Sequence, residues 1–220
     1  MGYSPEEDYL RNRRKRMVDL QIRGRGVKDE KLLSVMEKIP RHLFVPESLR
    51  DRAYDDCPLP IGENQTISQP YIVALMTEAL SLTGKEKVLE LGTGSGYQAA
   101  ILAELAEKVI TIERIPTLAE RAEKVLKELG YENVRVITGD GTLGYEEEAP
   151  YDRVIITAAT PDFPPPVVEQ LKEGGVIVGP LGGAFEQELV RGVKKKGRVE
   201  KTFLGGCRFV KLLGEYGFRS

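Results

Sequence analysis

The chain has 220 residues, of which 41% are hydrophobic and 30% charged, and these proportions are typical of one globular domain with a sizeable core. Its formal net charge of -2 argues against bulk attraction to nucleic acid. The two cysteines, Cys57 and Cys207, have neither zinc-site nor disulfide-scaffold spacing, so we expect no metal and a reducing compartment. Without an apolar signal core or a segment of membrane-spanning length, the sequence predicts a cytoplasmic protein with no membrane partner.

The first 84 residues predict an amino-terminal helical extension. A Ser-Pro-Glu-Glu start predicts a helix over residues 4–24, and a second helix is predicted over 29–39, before a proline. The basic run RNRRKR, residues 11–16, lies within the first helix and has acidic residues on both sides. We interpret this run as a solvated helix face, with RNA binding as the alternative.

Residues 85–182 alternate short apolar strands with helices, which predicts βαβ units and a doubly wound, mostly parallel sheet. Two later strands, with no helix between them and KKKGR as their turn, predict a carboxy-terminal antiparallel pair within residues 183–220. The expectation is an α/β fold with a seven-stranded Rossmann-like sheet in a single domain. The predicted strands are 87–91, 109–113, 134–140, 152–158, 176–182, 188–193 and 199–208, and the helices between them are 97–108, 117–130 and 167–171.

The segment ELGTGSG, from Glu90 to Gly96, follows the first strand of this block. Ligands of doubly wound sheets bind beyond the carboxyl ends of the strands, and glycines at Gly92 and Gly94 leave room for a ligand against the main chain. A nucleotide-type turn is therefore the functional interpretation. The structural alternative is a tight connection between strand and helix.

Two acidic residues at the ends of later strands strengthen the functional interpretation. Glu113 ends the second strand, where a carboxylate can accept hydrogen bonds from ribose hydroxyls. Asp140 ends the third strand, within reach of an adenine edge. Either acid could instead cap a helix or stabilise a turn. Because all three features fall at successive strand ends, we predict a ligand that contains adenosine.

The charge around the turn favours S-adenosylmethionine over a dinucleotide. The dinucleotide pattern is G-x-G-x-x-G, and here Tyr97 stands where its last glycine is expected. Glu90 is a poor neighbour for pyrophosphate and a good one for an ammonium group. The E-x-G-x-G-x-G pattern with the two strand-end acids resembles the class I methyltransferase fold over residues 85–182.

The stretch GENQTISQPYIVALM, residues 62–76, joins a polar run to a predicted helix. Ser68 or Gln69 can cap that helix and Pro70 suits its first turn, but the rest of the polar run is not needed for it. This stretch, together with IPRHLFVP, GDGTLGYEEEAPYD, TAATPDFPPPVVEQLKEGGVIVGPLG and RFVKLLGEYGF, resembles the protein-L-isoaspartate O-methyltransferase family. The resemblance covers residues 41–218.

The resemblance implies methyl transfer from S-adenosylmethionine, with S-adenosylhomocysteine as product, to the α-carboxylate of L-isoaspartyl residues in damaged proteins and peptides. The ester then closes to a succinimide, which initiates repair. Ser68 is implied to orient the acceptor, while His42 is expected to be structural or a substrate-loop contact rather than a base. The residues implied to bind the cofactor are Gln65, Thr66, Ile67, Glu90, Gly92, Thr93, Gly94, Ser95, Gly96, Glu113, Asp140 and Gly141.

Several alternatives stay open from the sequence. They are a class I methyltransferase acting on RNA or a small molecule, a nicotinamide oxidoreductase, and a non-catalytic adenosyl-binding protein. Ser68 could also serve only as a helix cap. We expect a monomer whose substrates are isoaspartyl proteins and peptides, with no nucleic-acid partner.

Overall fold

A computed structural model describes residues 5–219, with nine strands and six α-helices in that part of the chain. The helices are α1 (Pro5–Arg16), α2 (Glu30–Lys38), α3 (Pro70–Leu80), α4 (Tyr97–Leu105), α5 (Pro116–Glu128) and α6 (Pro165–Gln170). The strands are β1 (Leu59–Gly62), β2 (Gln65–Ile67), β3 (Lys87–Leu91), β4 (Lys108–Glu113), β5 (Val134–Thr138), β6 (Tyr151–Ile156), β7 (Leu171–Gly182), β8 (Gln187–Lys195) and β9 (Arg198–Cys207). No helix within residues 5–219 is long and apolar enough to cross a membrane.

Seven strands form one sheet in the order β5-β4-β3-β6-β7-β8-β9. The strands from β3 to β7 are parallel, whereas β8 and β9 are antiparallel to their neighbours. The predicted fold class is therefore confirmed, and β9 takes the edge of the sheet. Lys196 and Gly197, both with positive φ, form the two-residue turn between β8 and β9.

Helices cover both faces of the sheet, so the central strands are apolar on both sides. In β3, Val88 packs in the cluster that contains Met76 and Leu80 of α3. Leu89 and Leu91 point to the opposite face, towards the cluster that includes α6. Glu90 lies two residues after Val88 in the same strand, so its side chain points to the same face, which α3 and α4 cover.

The first predicted helix is not α-helical throughout. After α1, residues Met17–Ile22 form a π-helix and Arg23–Arg25 a short 3₁₀ turn. The wider π turn puts residues four and five apart on one face, so Met17, Val18 and Ile22 are all buried. The π-helical segment is therefore part of the core.

The amino-terminal extension is not purely helical, because β1 and β2 form an antiparallel hairpin that the sequence analysis did not predict. Leu59, Ile61 and Ile67 are buried, while Glu63 and Asn64 adopt positive φ in the turn. The polar run therefore lies on a fixed element rather than in an irregular loop.

The boundary between α6 and β7 also differs from the prediction, which extended the helix to Leu171. The helix ends one residue earlier, at Gln170. Leu171 is buried, has extended backbone angles and pairs with Tyr151, so it begins the strand.

Candidate active site

The glycine turn connects β3, at the centre of the sheet, to α4. Gly92 has φ +97°, and a Cβ on it would lie 2.5 Å from the hydroxyl of Thr157. Gly96 has φ +86°, and a Cβ there would lie 3.2 Å from Cβ of Ala122 in α5. The Thr157 hydroxyl therefore requires glycine at position 92, and the positive φ, with Ala122 of α5 nearby, favours glycine at position 96.

A cavity opens beside this turn at the carboxyl ends of β3 and β4, and the polar run of the β2 hairpin closes it. The structure thus brings together most residues that the sequence assigned to the site. Those that line the cavity are Gln65, Thr66, Ile67, Ser68, Gly92, Thr93, Gly94, Ser95 and Glu113. Their joint position supports the assignment, while their individual roles stay predictions.

Glu113 lines both this cavity and an adjoining pocket that also includes Gly141. Its side chain is 7% exposed, and its two oxygens accept hydrogen bonds from the backbone N–H of Gly94 (2.8 Å) and Ile115 (2.9 Å). Each carboxylate oxygen has a second lone pair, so Glu113 can still accept hydrogen bonds from ligand hydroxyls.

Glu90 lies beneath the turn and does not contribute to the lining of the cavity. It is completely buried, and neither carboxylate oxygen has a hydrogen-bond partner within the described chain. Burial raises the pKa of Glu90 to about 8, a nearby Thr111 hydroxyl opposes the rise, and the charge of Glu113 adds to it. A cation bound at the turn would favour the charged form and lower this pKa.

Asp140 does not line the cavity or the adjoining pocket. One oxygen accepts hydrogen bonds from the backbone and hydroxyl of Thr142, at 2.9 and 2.7 Å, and the other accepts from the backbone of Glu215 at 2.8 Å. Asp140 therefore anchors the carboxy-terminal GEYGF segment, for which the sequence indicated no role. Its proposed contact with adenine stays a prediction.

Ser68 lies between the hairpin and α3, and it lines both the cavity and a larger groove. The N-cap of α3 is Gln69, and no side chain makes a capping hydrogen bond there. The interpretation of Ser68 as only a helix cap is therefore wrong. Ser68 is thus a residue that the cavity and the groove share.

The groove has a volume of about 810 Å³ and runs between α3 and the end of β9. Tyr71, Ile72 and Leu75 form one wall, and residues 204–211 form the other. Its volume and its mixed apolar and polar lining can accommodate a peptide segment.

Sequence reasoning missed several residues of the cavity, some next to the predicted motifs and others from distant parts of the chain. Thr157 follows β6 directly, so its position at a strand end was a usable signal. Its hydroxyl lies 2.9 Å from the carbonyl oxygen of Leu91 and 2.5 Å from that of Gly92, so its one proton is shared between them and holds the turn. The other missed lining residues are Val73, Met76, Tyr97, Gln98, Ala158, Phe209 and Val210.

His42, the chain's one histidine, does not line the cavity. Its Nδ1 is hydrogen-bonded to the hydroxyl of Tyr54 at 2.7 Å, and burial lowers the pKa of the imidazole. It has the structural surroundings expected from the sequence. Residues 5–219 also hold no cluster of three His, Cys, Asp or Glu side chains that could bind a metal ion.

The parallel sheet, the glycine turn and the strand-end acid define a class I methyltransferase. A family model described as protein-L-isoaspartate(D-aspartate) O-methyltransferase matches residues 12–217. The protein-L-isoaspartate O-methyltransferase of Syntrophus aciditrophicus is 57% identical over 214 residues, covering 96% of this chain and 98% of the relative. That of Dictyoglomus turgidum is 58% identical over 207 residues, or 94% of each chain. The chain belongs to the protein-L-isoaspartate(D-aspartate) O-methyltransferase family.

Two solved structures share the fold. A protein-L-isoaspartate O-methyltransferase superposes with a TM-score of 0.83 at 29% identity, covering 93% of this chain and 67% of the other. A Plasmodium falciparum protein described as a protein-L-isoaspartate O-methyltransferase, in complex with S-adenosyl-L-homocysteine, superposes with a TM-score of 0.79 at 24% identity. That comparison covers 91% of this chain and 98% of the other.

Proposed function

We propose that the protein transfers a methyl group from S-adenosylmethionine to the α-carboxylate of L-isoaspartyl residues in proteins and peptides. The observation that carries the proposal is the position of Ser68, which lines both the cavity beside the glycine turn and the groove of about 810 Å³. Membership of the family supports the same acceptor. The methyl ester starts repair because it closes to a succinimide.

The residues at the turn fit S-adenosylmethionine. Glu113 offers acceptors for ribose hydroxyls, and Gly92 and Gly94 leave the main chain open to a ligand. Glu90 is an unpaired buried carboxylate, the kind of group that a nearby ammonium stabilises. When bound, the cofactor supplies a sulfonium-activated methyl group. We propose that Gln65, Thr66 and Ile67 cover it from the hairpin side.

The acceptor needs no general base, because an α-carboxyl group has a pKa of about 3.5 and is an anion at neutral pH. The absence of histidine from the described lining of the cavity is consistent with this chemistry. The site must instead orient the acceptor carboxylate towards the methyl group and exclude water from both. Ser68 donates a hydrogen bond that orients the carboxylate, while Val73, Met76 and Phe209 provide apolar walls.

The basic runs give little support to RNA as acceptor. In the amino-terminal run, Arg13 pairs with Asp55 at 2.8 Å, and Nε of Arg14 is buried. In the β8–β9 turn region, Nζ of Lys194 donates to backbone carbonyls at the end of α6, and Lys195 pairs with Glu200. Arg13, Arg14 and Lys194 are thus engaged within the fold, which leaves fewer free cations in these runs than the sequence suggests.

We further propose that the protein works as a monomer in the cytoplasm. One chain by itself supplies the glycine turn, the hairpin and the groove. Cys57 and Cys207 are both free thiols, which suits a reducing compartment. Size-exclusion chromatography with light scattering measures the oligomeric state, and a dimer mass would contradict this part of the proposal.

The test of function uses labelled S-adenosylmethionine and two peptides that differ only in Asp against isoAsp. The isoAsp peptide should be methylated and its Asp counterpart should react poorly or not at all, because the extra backbone methylene displaces the carboxylate. A short RNA serves as a third acceptor. Equal rates on both peptides, or label on RNA alone, would reject the proposed acceptor.

A further inference from the structure

A completely buried arginine, Arg41, lies behind the hairpin that carries the polar run. Its Nε donates to the carbonyl of Ala53 at 2.7 Å, and its Nη2 donates to the carbonyl of Ser68 at 2.7 Å. The guanidinium also sits over the ring of Tyr97, with 4.8 Å between Cζ and the ring centroid. Its described partners are therefore two carbonyls and an aromatic face rather than a carboxylate.

Such a group is costly to bury. Burial lowers the pKa of Arg41, which is the sign of an unfavourable environment for the charge. An apolar side chain of similar length would fill this space without that cost. The planar fork of a guanidinium, however, can donate to two carbonyls at fixed angles and still stack on a ring, which an ammonium group cannot do.

The three partners of Arg41 come from separate parts of the site. Ala53 precedes the hairpin, Ser68 follows it, and Tyr97 is the first residue of α4, directly after the glycine turn. Through this side chain, the backbone of Ser68 is tied to the element that begins beside the cofactor cavity. No other hydrogen bond described for residues 5–219 holds the Ser68 carbonyl.

We propose that Arg41 is the positioning residue that sets the place of Ser68 relative to the glycine turn. The proposal rests on the proposed function, in which the hydroxyl of Ser68 orients the acceptor carboxylate. Arg41 lines neither the cavity nor the groove, so it acts through the residues that it holds, the Ser68 backbone and the Tyr97 ring. Misplacement of a reacting group by about 1 Å can lower a rate about a hundredfold.

The variants that test this are Arg41→Met, which keeps length and removes all donors, and Arg41→Lys, which keeps a charge without the fork. Val167→Ala is the matched control, because Val167 is fully buried in α6, in a hydrophobic cluster different from that of the hairpin. All three variants should melt earlier than the wild type. Turnover is compared at a temperature at which each is folded.

Arg41→Met should lower kcat for the isoAsp peptide about ten- to a hundredfold, and Arg41→Lys by several-fold. Affinity for S-adenosylhomocysteine should stay within about threefold in both, and Val167→Ala should keep the wild-type kcat. Amide hydrogen exchange in residues 65–69 should quicken in the Arg41 variants more than elsewhere. Exchange needs no substrate, so it reports on Arg41 even if the wild type fails to methylate the peptide.

Two results would overturn the proposal. One is a kcat in either folded Arg41 variant within twofold of that of Val167→Ala. The other is hydrogen exchange that rises uniformly over the chain, which would show that Arg41 contributes only to stability. If Arg41→Met does not fold, the same two criteria apply to Arg41→Lys. Absence of wild-type turnover on the isoAsp peptide would reject the proposed function instead.

Discussion

Replacing Glu90 by Gln should change how the stability of the protein depends on pH. The carboxyl group is completely buried without a hydrogen-bond partner in the described chain, and burial raises its pKa from 4.5 to about 8. The folded protein therefore holds a proton at this site that the unfolded chain releases. Between pH 4.5 and 8, stability from this group falls as pH rises.

The size of the effect follows from the pKa change. Each pKa unit corresponds to about 1.4 kcal/mol, so the full shift would remove up to about 5 kcal/mol of stability by pH 8. Gln has the same shape and does not ionise. The free energy of unfolding of Glu90→Gln, relative to wild type, should therefore rise steadily from pH 5 to pH 8.

Urea unfolding followed by circular dichroism at several pH values measures this difference. Glu86→Gln is the control, since Glu86 is also buried, at 5% exposure. Burial opposes ionisation there too, but hydrogen bonds from Thr83 and from backbone N–H groups leave the pKa of Glu86 lowered. Glu86 is thus ionised in both states above pH 6, and its variant should differ from wild type by a constant amount. Parallel profiles for wild type and Glu90→Gln would refute the reasoning.

The raised pKa of Glu90 also predicts that the protein releases a proton when the ligand binds. If the ammonium of S-adenosylhomocysteine lies near Glu90, binding should favour the carboxylate and release up to about one proton below pH 8. Calorimetry in two buffers with different heats of ionisation measures the released proton. Glu90→Gln should release none, and equal release by both proteins would place the ammonium elsewhere.

Substitutions at three positions give further tests. Glu113→Ala should weaken S-adenosylhomocysteine binding by about 1.5–3 kcal/mol, with Glu113→Gln losing less, and unchanged calorimetric affinity would contradict its role. Ser68→Ala should lower kcat about a hundredfold while that affinity stays within about threefold. Because no side chain caps α3, the melting temperature of Ser68→Ala should stay near that of the wild type. A normal kcat in this variant would show that Ser68 has no part in the mechanism. Asp140→Asn should speed carboxypeptidase removal of residues 212–219 by weakening the hydrogen bond to the backbone of Glu215, and unchanged digestion would show that other contacts hold the segment.

Much of the sheet could be predicted because parallel strands buried on both faces appear as short apolar runs between helices. The β1–β2 hairpin was missed because its strands have only four and three residues, one of them Pro60, too short for a periodic pattern. The π-helix at Met17–Ile22 was missed for a different reason. The residues that pack against the π-helix stabilise its wider turn. Helix propensity depends on the local residues alone and therefore does not predict this effect.

The sequence by itself determined the local chemistry of this protein: a glycine turn after an apolar strand, an acid at the end of the next strand, and a polar run before a helix. Each of these is contiguous, so its residue types and spacing were readable. Only the tertiary structure decided that Asp140 binds the carboxy-terminal segment, and that Phe209 and Val210 line the cavity. Arg41 and the Ser68 carbonyl, 27 residues apart, meet for the same reason. These contacts depend on the packing of distant elements, which determines the final positions of their side chains and backbone groups.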